Sequence, residues 1–273
     1  MSLRNKLRCV GMTDTGKVRE HNEDTIAVDA DIGLLVLADG MGGYNAGEIA
    51  SGIATNTVLE TARREWKDLK HGVIDHETGY SVEALMLKRA VEAAHATIYQ
   101  VSQSQPQCAG MGTTVVACIL HQDILSIAYV GDSRLYRFRD GRLEQVTRDH
   151  SLLEELITRG HYTREEAMNL VRKNIVTRAL GVEDIVVVDL IEDTLEVGDI
   201  LLLCSDGLND MIGDDVIGLT LGKYAANVDR AAKELVRLAL ENGGKDNVSV
   251  ALARVDASLM RSRRWYERLM EWF

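Results

Sequence analysis

Apolar residues along the chain gather in short runs, most of them closed by Gly, Asp or Asn. That is the pattern of buried or half-buried strands. It predicts strands at Asp24–Asp29, Gly33–Ala38, Thr113–His121, Ile124–Val130, Arg134–Phe138, Arg142–Val146, Ile185–Ile191, Ile200–Cys204 and Asn247–Val255. Two pairs are joined by hairpin-length turns, His121–Asp123 and Asp140–Gly141, and connections this short make antiparallel neighbours. A second period, of three to four residues, marks helices. From Ser81 to Gln103 an apolar stripe passes through Leu85, Ala93 and Val101. From Val228 to Leu240 it passes through Val228, Ala232, Leu235, Val236 and Ala239, and Gly243-Gly244 stops it. A third helix, Glu48–Trp66, follows Gly42-Gly43. Strands broken by paired helices, with antiparallel connections, read as a layered α+β fold.

The length of 273 residues suits one large domain, and neither a linker nor a repeat divides it. The expected organisation is a domain over residues 1–256 and an amphipathic tail over 257–273. In that tail Trp265, Leu269 and Trp272 fall at helical spacing beside Arg261, Arg263, Arg264 and Arg268. A helix of this kind is expected to dock on the domain or on a second chain, with an anionic membrane surface as the alternative. No apolar run approaches the roughly 18–20 residues that span a bilayer, and MSLRNKLRCV lacks a signal-peptide core. Cys9, Cys108, Cys118 and Cys204 are too scattered for a zinc site and read as reduced thiols. A cytoplasmic location is the expectation. The net charge of -11 excludes a nucleic-acid binder, which needs a basic face.

The charge has a pattern. LLVLADGMGG delivers Asp39 at the end of an apolar run, and LLLCSDGLND does the same with Asp206. SIAYVGDSR places Asp132, GGKDNVSV places Asp246, and REHNED places Glu23 and Asp24 at the opening of a strand. If these acids converge, each pair about 4 Å apart repels by roughly 1 kcal/mol in water and about 4 kcal/mol at an effective dielectric of 20. Divalent cations relieve that repulsion, and all-oxygen ligation suits Mg²⁺ or Mn²⁺. Zinc would want Cys or His spacing, which is absent. No phosphate-binding GxxxxGK[ST] or GxGxxG occurs, and DADIG fails as a calcium loop because Gly40 stands where Glu is needed.

The ordered set GKVREHNED, LLVLADGMGG, GMGTTVVA, AYVGDSRLYRFRDG, NIVTRALG, LLLCSDGLND and GGKDNVSVALA resembles the metal-dependent protein serine/threonine phosphatases of type 2C, in their bacterial form. It runs from about Val10 to Val255. The resemblance implies a four-layer α/β/β/α sandwich of two antiparallel sheets flanked by helices, with a binuclear Mn²⁺/Mg²⁺ centre at one end. It implies that Asp39 bridges both ions and that Gly40 offers its carbonyl to one of them. Asp206 and Asp246 would hold the other ion. Glu23 would act through water, and Asp24 would orient the attacking water. Asp132 would bind a third ion with Asp206, and Arg19 would hold the substrate phosphate. The implied reaction is hydrolysis of phosphoserine and phosphothreonine esters on proteins by a metal-bridged hydroxide, reversing a bacterial Ser/Thr kinase.

Met41 stands where many members carry a histidine proposed as the acid for the leaving group, and Tyr44 departs from a histidine common in bacterial relatives. The segment Asp149–Arg172, with two helical patterns around Gly160, matches a flap beside the site in the family. His150 and His161 within it read as structural or solvated. The alternative function is a catalytically weak regulatory module that binds proteins. The complete set of metal-site acids argues against it.

Overall fold

The computed structural model describes residues 3–43, 46–160, 162–163, 166–167 and 175–260. Tyr44, His161, the later part of the second pattern after Gly160, and residues 261–273 of the expected tail helix lie outside the described residues. Two antiparallel sheets pack face to face. One has the order β1 (Leu7–Asp14), β11 (Val248–Val255), β10 (Ile200–Cys204), β7 (Arg134–Arg139), β8 (Arg142–Gln145). The other has the order β2 (Asp24–Asp29), β3 (Leu34–Met41), β5 (Val115–His121), β6 (Ile124–Val130), β9 (Asp189–Thr194), with the short β4 (Gly112–Thr113) paired to the end of β3. Helices α1 (Ala46–Trp66) and α2 (Val82–Ser104) cover the second sheet. Two others, α5 (Asp214–Lys223) and α6 (Val228–Glu241), cover the first. Short helices α3 (Leu152–Thr158) and α4 (Asp206–Asn209) follow β8 and β10. The layered α+β sandwich expected from the sequence is the observed one.

Side-chain alternation explains the layers. On β3, Leu34, Val36 and Ala38 face the helices, whereas Leu35 and Leu37 face the other sheet. On β10, Ile200, Leu202 and Cys204 face helices, and Leu201 and Leu203 face between the sheets. A strand covered on both faces must be apolar at every position, hence the unbroken LLVLA and LLLC. Both predicted hairpins use left-handed turn residues: Gln122 (φ 46°) with Asp123 (φ 61°), and Asp140 (φ 49°) with Gly141 (φ 77°). All four cysteines are free, and burial pushes the Cys204 thiol up to about 12.

Some expectations need correction. The strand predicted at Ile185–Ile191 begins only at Asp189, and Ile185 and Val187 stand 74% and 64% exposed. The stretch Thr113–His121 is broken at Thr114, whose N–H donates to the Asp39 carbonyl at 2.8 Å. On α2 the buried face is Met86, Leu87, Ala90, Val91, Ala94 and Ile98, while Ala93 is exposed. Positions eight apart, such as Leu85 and Ala93, are about 80° apart around a helix of 3.6 residues per turn, so that stripe drifts off the core. β1 escaped prediction because, as an edge strand, it buries only Leu7 fully. α5 escaped because Gly218 and Gly222 dilute its pattern; they lie against Leu143 and Phe138.

Candidate metal centre

Strand ends from both sheets meet at one end of the sandwich. There a cavity of about 280 Å³ is lined by Arg19, Glu23, Asp39, Gly40, Met41, Asp132, Asp206, Asp246 and Asn247, among others. All the site residues expected from the sequence line this cavity except Asp24, which is buried. Asp24 pairs directly with Asp39 across β2 and β3, so the two side chains leave the same face of the ladder.

The backbone around Asp39 is closely held. Thr113 Oγ1 donates to the Asp39 carbonyl at 2.8 Å, and the Asp39 N–H donates to Thr114 Oγ1 at 3.2 Å. Thr114 Oγ1 lies 2.7 Å from Ser133 Oγ, which ties the β3 end to the residue after Asp132. Gly40 donates its N–H to the Glu23 carbonyl at 3.1 Å and lies against the first turn of α1. Side chains are excluded there: a Cβ on Gly40 would stand 2.1 Å from the Gly47 carbonyl oxygen, and one on Gly47 would stand 2.6 Å from Glu23 Oε1. His150 is structural, as expected. Its Nδ1 accepts from the Gly131 N–H at 3.1 Å, Nε2 faces Asp189 at 3.2 Å, and its ring stacks on Tyr129. With Nδ1 accepting, Nε2 carries the proton.

The acids burden one another. Burial holds Asp39 well above the ordinary carboxylate range, with Asp24, Asp206, Asp132 and Asp246 adding repulsion, although Asp39 keeps some solvent access. Burial, then Asp132 and Asp246, push Asp206 up to about 8. Burial raises Asp24 to about 6 although Ser249 and Ser205 pull it back, and Asp24 Oδ1 is buried without a hydrogen-bond partner. Asp132 is pushed to about 6 by burial and by Asp149, and Glu23 is raised by burial. Against these acids the described lining sets one cation, Arg19, whose Nη2 sits 2.7 Å from Asp246 Oδ2. Among the described residues no three His, Cys, Asp or Glu side chains are already drawn into a metal cage. The acids share a cavity and a field.

Sequence reading missed Asn247. Its Nδ2 donates to the Thr15 and His21 carbonyls, both at 2.9 Å, and its Oδ1 accepts from the Glu23 N–H at 2.8 Å. One buried amide thereby fixes the loop that carries Arg19 and Glu23. The available signal was a polar residue set between Asp246 and the strand that opens at Val248. Asn247→Ala is expected to cost roughly 2–3 kcal/mol by orphaning these backbone groups. Urea unfolding and faster amide exchange over residues 15–23 would report it; unchanged exchange would refute this role.

Residues 16–250 match the family described as Protein phosphatase 2C. A serine/threonine phosphatase, Stp, of Listeria monocytogenes serotype 4b (strain F2365) is 38% identical over 247 residues, covering 89% of this chain and 94% of that protein. The crystal structure of the Mycobacterium tuberculosis serine/threonine phosphatase PstP/Ppp is similar with a TM-score of 0.81 at 34% identity, covering 92% of this chain and 100% of that one. The catalytic domain of PstP in complex with 2 manganese ions gives a TM-score of 0.78 at 35% identity, over 92% of this chain and 99% of that one.

Proposed function

The chain belongs to the protein phosphatase 2C family and is a serine/threonine phosphatase of that type; from that premise we propose that its acidic cavity uses two Mn²⁺ or Mg²⁺ ions to hydrolyse phosphoserine and phosphothreonine esters on proteins. The observation that carries this reading is the convergence of Glu23, Asp39, Asp132, Asp206 and Asp246 on one cavity with little positive charge to offset them. The all-oxygen donor set on the cavity wall fits hard divalent cations. Asp39, the Gly40 carbonyl, Asp206 and Asp246 would hold the pair, with Glu23 reaching through water and Asp132 joining Asp206 at a third ion. When bound, such ions supply Lewis acidity, lowering the pKa of water and offsetting charge on phosphoryl oxygens.

The chain's own residues do the rest. Asp24, buried behind the cavity with its Oδ2 accepting from Ser205 Oγ at 2.8 Å, would orient the attacking water. Arg19 offers a planar fork that binds phosphate bidentately. Its present partner is Asp246, so this pair has to open as Asp246 turns to a cation and Arg19 to the phosphate. Met41 cannot donate a proton, and no histidine, lysine, cysteine or tyrosine is among the described lining residues. That leaves water and the carboxyls as proton sources for the departing alkoxide. The proteins acted on are substrates of a Ser/Thr kinase that this phosphatase opposes. The regulatory-module alternative would leave the full acid set without a use.

The direct test is phosphate release from p-nitrophenyl phosphate and from a phosphothreonine peptide, with and without Mn²⁺. Activity that vanishes with EDTA and returns with Mn²⁺ is expected; activity indifferent to metal would sink the reading. Arg19→Ala is expected to raise KM about 10–100-fold, the worth of one charged hydrogen-bonded contact. Mn²⁺ affinity should hold, because the change frees Asp246 rather than removing a ligand. Weaker Mn²⁺ binding by calorimetry with KM unchanged would contradict this assignment.

A further inference from the structure

A second cavity, of about 320 Å³, adjoins the acidic one and shares Met41 and Val176 with it. Where the first is lined by carboxylates, this one has Val182, Ile185, Val186 and Val187 along its wall, with Arg178 and Glu183 the charged residues beside them. Val182, Ile185 and Val187 are 53%, 74% and 64% exposed. Apolar surface left in water costs roughly 25 cal/mol per Å², and a contiguous patch of it marks a binding surface.

The wall is anchored. Thr113 and Leu180 exchange backbone hydrogen bonds at 3.2 and 2.8 Å, which fastens the segment to β4, and β4 pairs with β3 at Met41. The Gly181 N–H donates to His95 Nδ1 on α2 at 3.2 Å, and Gly181 has φ 83°, with Ile98 2.1 Å from where a Cβ would lie. Arg178 is tied to Asp189 at 3.2 Å. The groove is therefore built on the same strand end that carries Asp39 and Gly40.

We propose that this groove binds the polypeptide flanking the phosphorylated residue and selects substrates with an aliphatic side chain close to it. The inference rests on the phosphatase reading above. Continuity decides the occupant: the groove opens from the acidic cavity across Met41 and Val176, which line both, so a chain that leaves the phosphate on this side enters it. In an extended peptide, side chains on one face recur about every 6–7 Å, so a residue two positions from the phosphorylated one reaches the neighbouring cavity. The groove supplies specificity without touching the reacting atoms.

The test compares two phosphothreonine nonapeptides, one with leucine two positions to either side of the phosphothreonine and one with serine there. It uses the full chain with Mn²⁺. The leucine peptide is expected to show about tenfold higher kcat/KM, the worth of one buried aliphatic side chain. The Ile185→Ser/Val187→Ser double variant should lose that preference through KM. Its turnover of p-nitrophenyl phosphate, which has no flanking chain, should stay within about twofold. Equal use of both peptides by the unmodified protein, or a preference that survives in the variant, would overturn the proposal. A protein that ranks the two peptides by affinity yet hydrolyses neither would uphold the groove and overturn the phosphatase reading instead. Self-association in sedimentation that the double variant abolishes, with no peptide preference, would assign the groove to a second copy.

Discussion

Asp39→Asn and Asp206→Asn are each expected to abolish Mn²⁺-dependent hydrolysis and, in the metal-free protein, to raise stability. The loss of activity should be about 10²–10³-fold or more, the cost of removing one preorganised electrostatic contact from a reaction centre. The gain in stability follows from the pKa shifts. Asp206 has a folded-state value near 8 against 3.8 for the unperturbed group, and Asp39 is shifted in the same direction. Between those values the folded state holds protons that the unfolded chain has released. Metal-free stability therefore falls as pH rises through this window. An amide keeps the shape of the carboxylate and removes the charge. At pH 8 the variants should exceed the parent by about 1–2 kcal/mol, within the common yield of a single stabilising substitution. The gap should narrow towards pH 4. Urea unfolding of EDTA-treated protein at pH 5 and pH 8 measures it. Near-normal turnover by either metal-saturated variant, or a stability gap that ignores pH, would defeat the assignment of these acids to one mutually repelling cluster.

Gly40→Ala should be severely damaging at the molecule's active end. A Cβ there meets the Gly47 carbonyl oxygen at 2.1 Å on one side and the Glu23 carbonyl oxygen at 2.7 Å on the other. Both obstacles are backbone, so no rotamer change makes room. Either α1 shifts off β3 or the β2–β3 ladder opens, and both movements displace Asp39 and Glu23. The cost is expected at about 3 kcal/mol, the upper end for overpacking, with loss of activity alongside. Gly43→Ala is the control, since nothing lies within 4 Å of its Cβ position, and it should unfold within about 0.5 kcal/mol of the parent. Comparable unfolding midpoints for the two variants would show that the β3–α1 contact is looser than these distances imply.

How much of this was legible beforehand depends on the range of the physics involved. β2, β6 and β10 were bounded correctly, as were both hairpin turns, because strand alternation and left-handed turn residues are properties of a few adjacent residues. The pattern of apolar run, acid, then glycine likewise announced Asp39 and Asp206, and the order of such motifs announced the family. Where the signal was diluted, prediction failed: edge strand β1, glycine-bearing α5, and the drifting stripe on α2. Residues 185–188 show the limit most clearly. Their aliphatic composition suggested a strand, yet among the described residues no strand pairs with them, and Ile185, Val186 and Val187 wall an exposed groove beside the site.

The chain by itself determined which acids, glycines and apolar faces were available. Only the tertiary structure decided that Arg19 meets Asp246 across 227 positions, that Asn247 ties down the loop over residues 15–23, and that strand ends from two sheets share one cavity. The shifted carboxylates follow from that arrangement, because burial and repulsion exist only once distant segments have met. Local propensity acts over a few residues, whereas the field at Asp39 sums charges from both sheets, which folding alone brings within range.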